Sequence, residues 1–213
     1  GSTAKIAEID FTGNQVFKTN KLRDEMYLTT GNWLSWWFKD NQYSSDKLAG
    51  DIEKIRAFYL NQGYIDFRLN SIQVQLTPDK KSVYITVNLK EGAQYRYKSV
   101  KLAGDYRDIP VAELERLVTV KPGTIINQEV LNKNVEAIKT KIGDYGYAFA
   151  NVNPIPEVDA KDKTVAYTLF VDTGRKIYVR NINISGNDKT RDVVIRRELR
   201  QEEAALYNAA AIK

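Results

Sequence analysis

The start of the chain alternates between strand-like and helix-like hydrophobic patterns. Residues 7–11 alternate apolar with polar side chains, a period of two that predicts a half-buried strand. A short helix follows from about Asn20. Residues 48–59 carry apolar side chains at i, i+4, i+7 and i+11, which form one stripe on a longer helix. Alternation returns at residues 83–89, and a turn at 77–80 separates this strand from the one before it. The predicted order is strand, helix, helix, strand, strand.

Polar residues mark the ends of these helices. Ser44 or Ser45 can accept hydrogen bonds from the free backbone N–H groups of the long helix, so we expect that helix to begin there. Gly63 is expected to end it, because glycine adopts the left-handed C′ conformation without penalty. Further along, Pro110 lies near the predicted start of another short helix, and Asn127 is the predicted cap of another long one.

The same pattern is repeated along the chain. Four apolar positions and a Gly-Tyr pair recur 83 residues later: Leu48, Ile52, Ile55, Tyr59 and Gly63-Tyr64 return as Leu131, Val135, Ile138, Ile142 and Gly146-Tyr147. The first strand ends in a glycine-polar step three times: Gly13-Asn14, Gly104-Asp105 and Gly186-Asn187. A constant offset across helix, turn and hairpin indicates tandem repeats.

The repeats predict an α+β chain of tandem βααββ units, each a three-stranded sheet with two helices packed on one face. We place the units at 4–93 and 94–174, with a truncated third at 175–213. The first unit is longer, since Gly13 and Gly63 are 50 residues apart but Gly104 and Gly146 only 42. The extra residues are predicted to form a loop insertion.

That insertion contains a dense aromatic group, residues 33–38. Such a cluster most often closes the end of a small hydrophobic core. The alternative is an exposed patch for a partner, because large apolar surface on a folded domain usually marks a contact site. On this second interpretation Trp36 and Trp37 would contact the partner.

Composition excludes several functional classes. The chain has 213 residues, a formal charge of +5 and neither cysteine nor histidine, which excludes thiolate nucleophiles, disulfides, Cys/His zinc sites and a Ser-His-Asp triad. We find no phosphate-binding glycine loop and no apolar run of about 20 residues. We therefore expect no enzyme and no cofactor. Gly1-Ser2 is typical of an expression-tag remnant, so we expect an excised fragment.

A basic βααβ nucleic-acid-binding module is the alternative from a different functional class. It would need a Gly-x-x-Gly clamp or a concentrated basic face, and neither is evident. We therefore expect no nucleic acid among the partners.

The βααββ order, the glycine-polar steps and the segments 76–81, 145–148 and 196–201 resemble POTRA (polypeptide-transport-associated) domains. The resemblance is to the outer-membrane β-barrel assembly factors of Gram-negative bacteria, at their third and fourth repeats and the start of the fifth. It implies a non-enzymatic scaffold in the periplasmic portion of an outer-membrane protein. Such a scaffold would receive unfolded outer-membrane β-barrel proteins, dock lipoproteins, and associate with the membrane only through a barrel beyond this chain. A POTRA array of a two-partner secretion or translocation-and-assembly transporter is the alternative.

The sheet edges are the candidate binding sites. In the family the second strand of each repeat is the open edge, where unpaired N–H and C=O groups can pair with another strand. Repeat one carries no proline in this strand, whereas repeat two has Pro154 and Pro156, which lack the N–H donor. We predict that the first edge accepts strands and the second is blunted; the alternative is that both are simply solvated. The predicted edge comprises Ser71, Ile72, Gln73, Val74, Gln75 and Leu76.

The same strand changes phase. Apolar side chains occupy odd positions up to Leu69 and even positions from Ile72, which predicts a β-bulge between them. By resemblance, a propeller lipoprotein docks on this edge, with Val74 and Leu76 at matching positions. Packing of these two side chains into the core is the alternative.

The truncated repeat carries the remaining predictions. Arg196 and Glu203 are seven residues apart, so they share a face of the predicted last helix. By resemblance they match positions that contact the lipoprotein BamD, and a solvated, salt-bridged helix is the alternative. Because strand one of this repeat has lost its sheet partners, we expect it to fray or to pair with another molecule's edge in a dimer.

Overall fold

The computed structural model describes residues 2–39 and 42–178. The chain divides into two compact units, one of Gly1–Arg96 with Ile125–Glu129 and the other of Tyr97–Thr124 with Val130–Lys213. The predicted stub is described only as far as Tyr178, so its fraying and its dimer lie outside the described residues. The predicted boundaries at 93/94 and 174/175 stay predictions.

The first unit has a mixed sheet of five strands in the order β3-β2-β1-β5-β4. β1 pairs in parallel with β5, whereas β2 on β1, β3 on β2 and β4 on β5 are antiparallel. In chain order the elements are β1 (Ser2–Thr12), α1 (Thr19–Glu25), β2 (Trp33–Lys39), β3 (Gln42–Ser44), α2 (Asp46–Asn61), β4 (Arg68–Leu76) and β5 (Ser82–Lys90).

The second unit has a three-stranded sheet in the order β6-β8-β7, and β7 is antiparallel to β8. Its elements are β6 (Arg96–Asp105), α3 (Val111–Glu115), α4 (Gln128–Asp144), β7 (Asn151–Asp159) and β8 (Thr164–Asp172). The α+β class and the repeated strand-helix-helix-strand-strand order are confirmed.

One prediction about the first unit was wrong. The insertion is not a loop but the hairpin β2–β3, which adds two strands to the predicted three-stranded sheet. The side chains of 33–37 alternate between exposed and buried, and β2 pairs with Ser2–Lys5 of β1. Aromatic residues favour strands, and here the inward side chains of β2, Leu34 and Trp36, pack into the core.

The predicted helix caps are confirmed. The Ser45 hydroxyl accepts a hydrogen bond from the Leu48 N–H (3.4 Å) at the start of α2. The Asn127 side chain accepts one from the Glu129 N–H (3.1 Å) at the start of α4. Gly63 follows α2 with a φ of 89°, the left-handed conformation that ends helices.

Each long helix holds the segment after the short helix through one buried polar side chain. The Asp51 carboxylate in α2 accepts hydrogen bonds from the N–H groups of Tyr27 (2.7 Å) and Leu28 (2.8 Å). Asn134, 83 residues later in α4, accepts one from the Thr119 N–H (2.7 Å). These bonds satisfy backbone donors that would otherwise be buried without partners.

Glu91 closes the first unit at the end of β5. Its buried carboxylate accepts hydrogen bonds from the N–H groups of Gln15 (2.7 Å) and Val16 (2.9 Å) and from the Tyr59 hydroxyl (2.8 Å). Burial, together with this hydrogen bond, raises the pKa of Tyr59 far above its ordinary value. The loop after β1 is thereby tied to the core.

At the glycine-polar step near the end of each first strand, the backbone lies close to the backbone of the last strand of the same unit. A Cβ at Gly13 would lie 1.9 Å from the Leu89 carbonyl oxygen, and one at Gly104 would lie 2.2 Å from that of Val171. Both glycines also have positive φ, at 88° and 118°. Only glycine fits, which explains why the sequence repeats it.

We predict that Gly13→Ala lowers the free energy of unfolding of the first unit by more than about 2 kcal/mol, because it adds backbone strain to a clash. Gly50→Ala is the matched control: that glycine lies in α2 with open space around its Cα, so the change should stabilise by about 0.5–1 kcal/mol. All three tryptophans, 33, 36 and 37, lie in this unit, so fluorescence during urea unfolding reports on it. Equal midpoints for the two variants would contradict the prediction.

Candidate functional site

β4 is the end strand of the first sheet. It pairs with β5 on one side, and among the described strands nothing pairs with its other side. The predicted segment Ser71–Leu76 therefore lies along a sheet edge. Main-chain N–H and C=O groups on such an edge are available to a further strand.

The side chains of this edge divide into two faces. Ile72, Val74 and Leu76 are half-buried and pack against the core, whereas Ser71, Gln73 and Gln75 are exposed. Packing of these three apolar side chains against the core holds the strand in place. The edge therefore presents its main chain together with polar side chains on the outer face.

The predicted bulge is confirmed. The pairing of β4 with β5 shifts register between Leu69 and Ser71, and both Leu69 and Ile72 contact the core. The extra residue lets the strand keep its apolar side chains inward on both sides of the bulge.

A row of polar side chains crosses the sheet at the bulge. The Thr12 hydroxyl donates to the side-chain oxygen Oδ1 of Asn88, and the side-chain Nδ2 of Asn88 donates to the Ser71 hydroxyl (2.6 Å). These residues lie side by side on β1, β5 and β4. Sequence reasoning missed this row, because only the register aligns its members. It fixes the position of β4 at the point where the strand is irregular.

The hairpin turn at the other end of the edge is also fixed. The Asp79 carboxylate accepts hydrogen bonds from the Thr77 hydroxyl (2.6 Å) and the Lys81 N–H (3.0 Å). Both bonds favour the ionised carboxylate and lower the pKa of Asp79, the Thr77 bond most.

The corresponding strand of the second unit, β7, is also an end strand, with Pro154 and Pro156 inside it. Its residues from Asn153 to Val158 are all exposed. Because a proline cannot donate to a ladder, this edge offers fewer hydrogen bonds than β4.

The aromatic cluster is split by the hairpin. Trp36 is 1% exposed, so the prediction that it contacts a partner is wrong: its indole is a core side chain. Trp37 is 68% exposed and Trp33 63%, on the opposite face of β2. Trp37 therefore stays a possible contact residue, and the core interpretation of the cluster holds for Trp36.

The remaining observations concern the predicted contact residues of the truncated repeat, metal binding and membrane-spanning helices. Arg196 and Glu203 lie outside the described residues. Residues 2–39 and 42–178 contain no group of three or more acidic, histidine or cysteine side chains that could bind a metal. Over the same ranges no helix has the length and apolar content needed to span a membrane.

Comparison with known proteins decides the family. The family model for POTRA, described as a surface antigen variable number repeat, matches residues 4–92, 95–174 and 177–213. The chain belongs to the POTRA family.

Within this family, the chain is similar in sequence to individual outer membrane protein assembly factors. The chain is 41% identical to the outer membrane protein assembly factor BamA of Neisseria meningitidis serogroup B over 100% of this chain and 27% of that protein. It is 30% identical to BamA of Buchnera aphidicola over 100% of this chain and 34% of that protein. The chain thus spans about a quarter to a third of the curated relatives it matches.

A solved structure shows the same fold. The crystal structure of POTRA repeats 3–5 of Haemophilus influenzae BamA matches with a TM-score of 0.80 and 33% identity, covering 99% of this chain and 82% of that one. The resemblance to repeats three, four and the start of five is therefore confirmed.

The Asp79 turn gives a prediction with a definite sign. Because its pKa is lowered in the folded chain, the turn's hydrogen bonds are present above the ordinary value of 3.8 and are lost as the pH falls through the lower folded value. An NMR titration of the Asp79 carboxyl carbon should give a midpoint below 3.8. Thr77→Val removes the main donor and should move the midpoint upward; an unchanged midpoint would contradict this assignment.

Proposed function

We propose that this chain is a non-enzymatic periplasmic scaffold that receives unfolded outer-membrane proteins by strand addition. The observation that carries the proposal is the outer side of β4, with which no other described strand pairs. Its segment Ser71–Leu76 contains no proline. An extended chain arriving there can form ladder hydrogen bonds without any change in the sheet. The similarity to BamA supports a role in outer-membrane protein assembly.

The energetics favour weak and unselective binding. About five ladder hydrogen bonds at about 1 kcal/mol net each give roughly 5 kcal/mol. Association costs at least about 4 kcal/mol in lost freedom, so one edge holds a strand only transiently. Recognition through main-chain groups depends little on sequence. Both properties suit a site through which many substrates pass, and several sites on one chain would raise the avidity.

The same edge is the proposed docking site for a propeller lipoprotein of the assembly machine. Val74 and Leu76 are half-buried rather than fully buried, so part of each side chain remains available to a partner while the rest packs on the core. Trp37 is a further proposed contact. The proposed contact of the truncated repeat with BamD, through Arg196 and Glu203, lies outside the described residues.

Strand addition is tested with a synthetic peptide from a transmembrane strand of an outer-membrane β-barrel protein. We expect the backbone amides of Ser71–Leu76 to shift on titration, whereas those of Asn153–Glu157 on β7 change less than half as much, because Pro154 and Pro156 interrupt that edge. A peptide N-methylated at alternate residues keeps its side chains but loses the donors on one side. We expect it to bind at least fivefold more weakly.

Two results would contradict strand addition. Equal responses on β4 and β7 would remove the distinction between the two edges. Undiminished binding of both N-methylated registers would show that side chains, and not the main chain, carry recognition.

Lipoprotein docking is tested by Leu76→Lys. The lysine replaces a half-buried leucine at the edge, and we expect the affinity for the purified propeller lipoprotein to fall at least tenfold in calorimetric titration. Val158→Lys is the matched control, because Val158 on β7 faces Val165 on β8 as Leu76 on β4 faces Val83 on β5. An equal loss in both variants would contradict docking at the β4 edge.

A further inference from the structure

The second unit has an open groove on the side of its sheet opposite to β7. It runs between β6 and the end of α3 and has a cavity volume of about 430 Å³. Its lining residues are Val100, Lys101, Leu102, Glu115 and Val118. Val100, Leu102 and Val118 are half-buried, and Glu115 is exposed. The groove therefore combines an apolar floor with one carboxylate, Glu115, and one ammonium group, Lys101, at its rim.

In the first unit the corresponding apolar side chains of the first strand are buried. The two glycine steps, Gly13 and Gly104, align the first strands with an offset of 91 residues, so Ile9 and Phe11 correspond to Val100 and Leu102. Ile9 is 1% exposed and Phe11 6%. Their counterparts are only half-buried, so the second unit leaves apolar surface uncovered at this position.

The first unit closes its β1 edge with its own chain. β2 pairs antiparallel with Ser2–Lys5, and the next hydrogen bonds on that side join Ile6 to the backbone of Gly31 (2.7 Å) and Asn32 (2.9 Å). Further along, the Arg23 guanidinium on α1 donates to the Ile9 carbonyl (2.7 Å) and pairs with Asp10 (3.1 Å). An added strand and an arginine thus satisfy this edge from within the molecule. The second unit repeats only the bonds at Ile6: Tyr97, the counterpart of Ile6, donates its N–H to the Thr124 carbonyl (2.9 Å) and accepts a hydrogen bond from the Gly123 N–H (2.7 Å).

The second unit has glutamate where the first has that arginine. Arg23 directly follows Leu22, the fully buried residue of α1, and Glu115 directly follows Leu114, the fully buried residue of α3. A carboxylate cannot donate a hydrogen bond to a carbonyl. Within the described part of the chain no side chain donates to the carbonyl of Val100, the counterpart of Ile9. The β6 edge lacks the arginine clamp. It has the Glu115 carboxylate beside it, and Lys101 of β6 lines the same groove.

We propose that the β6 edge of the second unit, in the part that follows Tyr97, is a second strand-accepting site. Its ligand is an extended polypeptide segment of a partner, with apolar side chains at alternate positions that enter the groove and one arginine or lysine that faces Glu115. The inference rests on the proposed function, strand addition to POTRA sheets, and assigns it to the strand at the opposite edge from the one used in the first unit. The second unit would then bind through β6, while the prolines of β7 disfavour strand addition on the side of β7 that faces away from β8.

The charge complement makes this site more selective than β4. On β4 the outer-face side chains are uncharged serine and glutamine. At the β6 site the Glu115 carboxylate would attract a positively charged side chain at one position of the ligand. The guanidinium of Arg23 is the internal example of the group that fits, since it reaches both a strand carbonyl and a neighbouring carboxylate. Arginine suits such a site because its planar fork donates in two directions.

The test uses the full chain and a synthetic ten-residue peptide with valine at alternate positions and one central arginine. We expect amide shifts at residues 98–103 of β6, besides those on β4. Glu115→Arg should weaken binding at β6 at least tenfold, because the new arginine takes the place that Arg23 occupies in the first unit. The β4 response should stay within twofold. Glu136→Arg, an exposed position on α4, is the control with the same charge change.

Peptide variants keep the test independent of how Glu115→Arg folds. Changing the peptide's arginine to glutamate should weaken binding at β6 of the unmutated chain at least fivefold and leave β4 within twofold. Shifts on β4 with none on β6 would overturn this inference while strand addition at β4 stands, and so would equal effects of Glu115→Arg and Glu136→Arg. Absence of shifts on both edges would contradict the proposed function as well.

Discussion

A three-strand sheet built from a βααββ repeat leaves two edges on which one side of the main chain has no partner, and the rest of this structure follows from how each edge is treated. The first unit closes one edge with the β2–β3 hairpin and leaves β4 free. The second unit places Pro154 and Pro156 in β7. Backbone groups on an edge are strong donors and acceptors, so each must be paired, solvated or offered to another chain.

The two units share the parts that hold the fold together. In each, a glycine lets the end of the first strand approach the backbone of the last, and a polar side chain on the long helix holds the segment after the short one. The units differ at the sheet edges, where the first has a hairpin and an arginine and the second a glutamate and two prolines. Under the proposed function, these differences would give one chain several binding sites on the same fold.

Much of this frame could be predicted from sequence because its signals are local. The caps at Ser45 and Asn127 and the bulge after Leu69 each follow from the conformational preference of one residue or from a shift in a short period. The β4 edge was predictable in the same way, with the family resemblance supplying which strand is outermost.

What could not be predicted depends on partners distant in sequence. Residues 33–37 alternate correctly for a strand, but aromatic side chains lie on both faces, so the sequence leaves Trp36 open between the core and a partner contact. The exchange of Arg23 for Glu115 has no meaning until tertiary contacts show the carbonyl that the arginine serves. A hydrogen bond between residues distant in sequence, such as that from Arg23 to the Ile9 carbonyl, can be recognised only once the arrangement of the strands and helices is known.

The most direct test of the central claim is isotope-edited NOE spectroscopy on a ¹³C,¹⁵N-labelled peptide strand bound to the unlabelled chain. The account predicts cross-strand contacts between peptide backbone protons and the Hα and amide protons of Ser71–Leu76, in one continuous register. Peptide contacts confined to the exposed indoles of Trp33 and Trp37, with none to the β4 backbone, would contradict it.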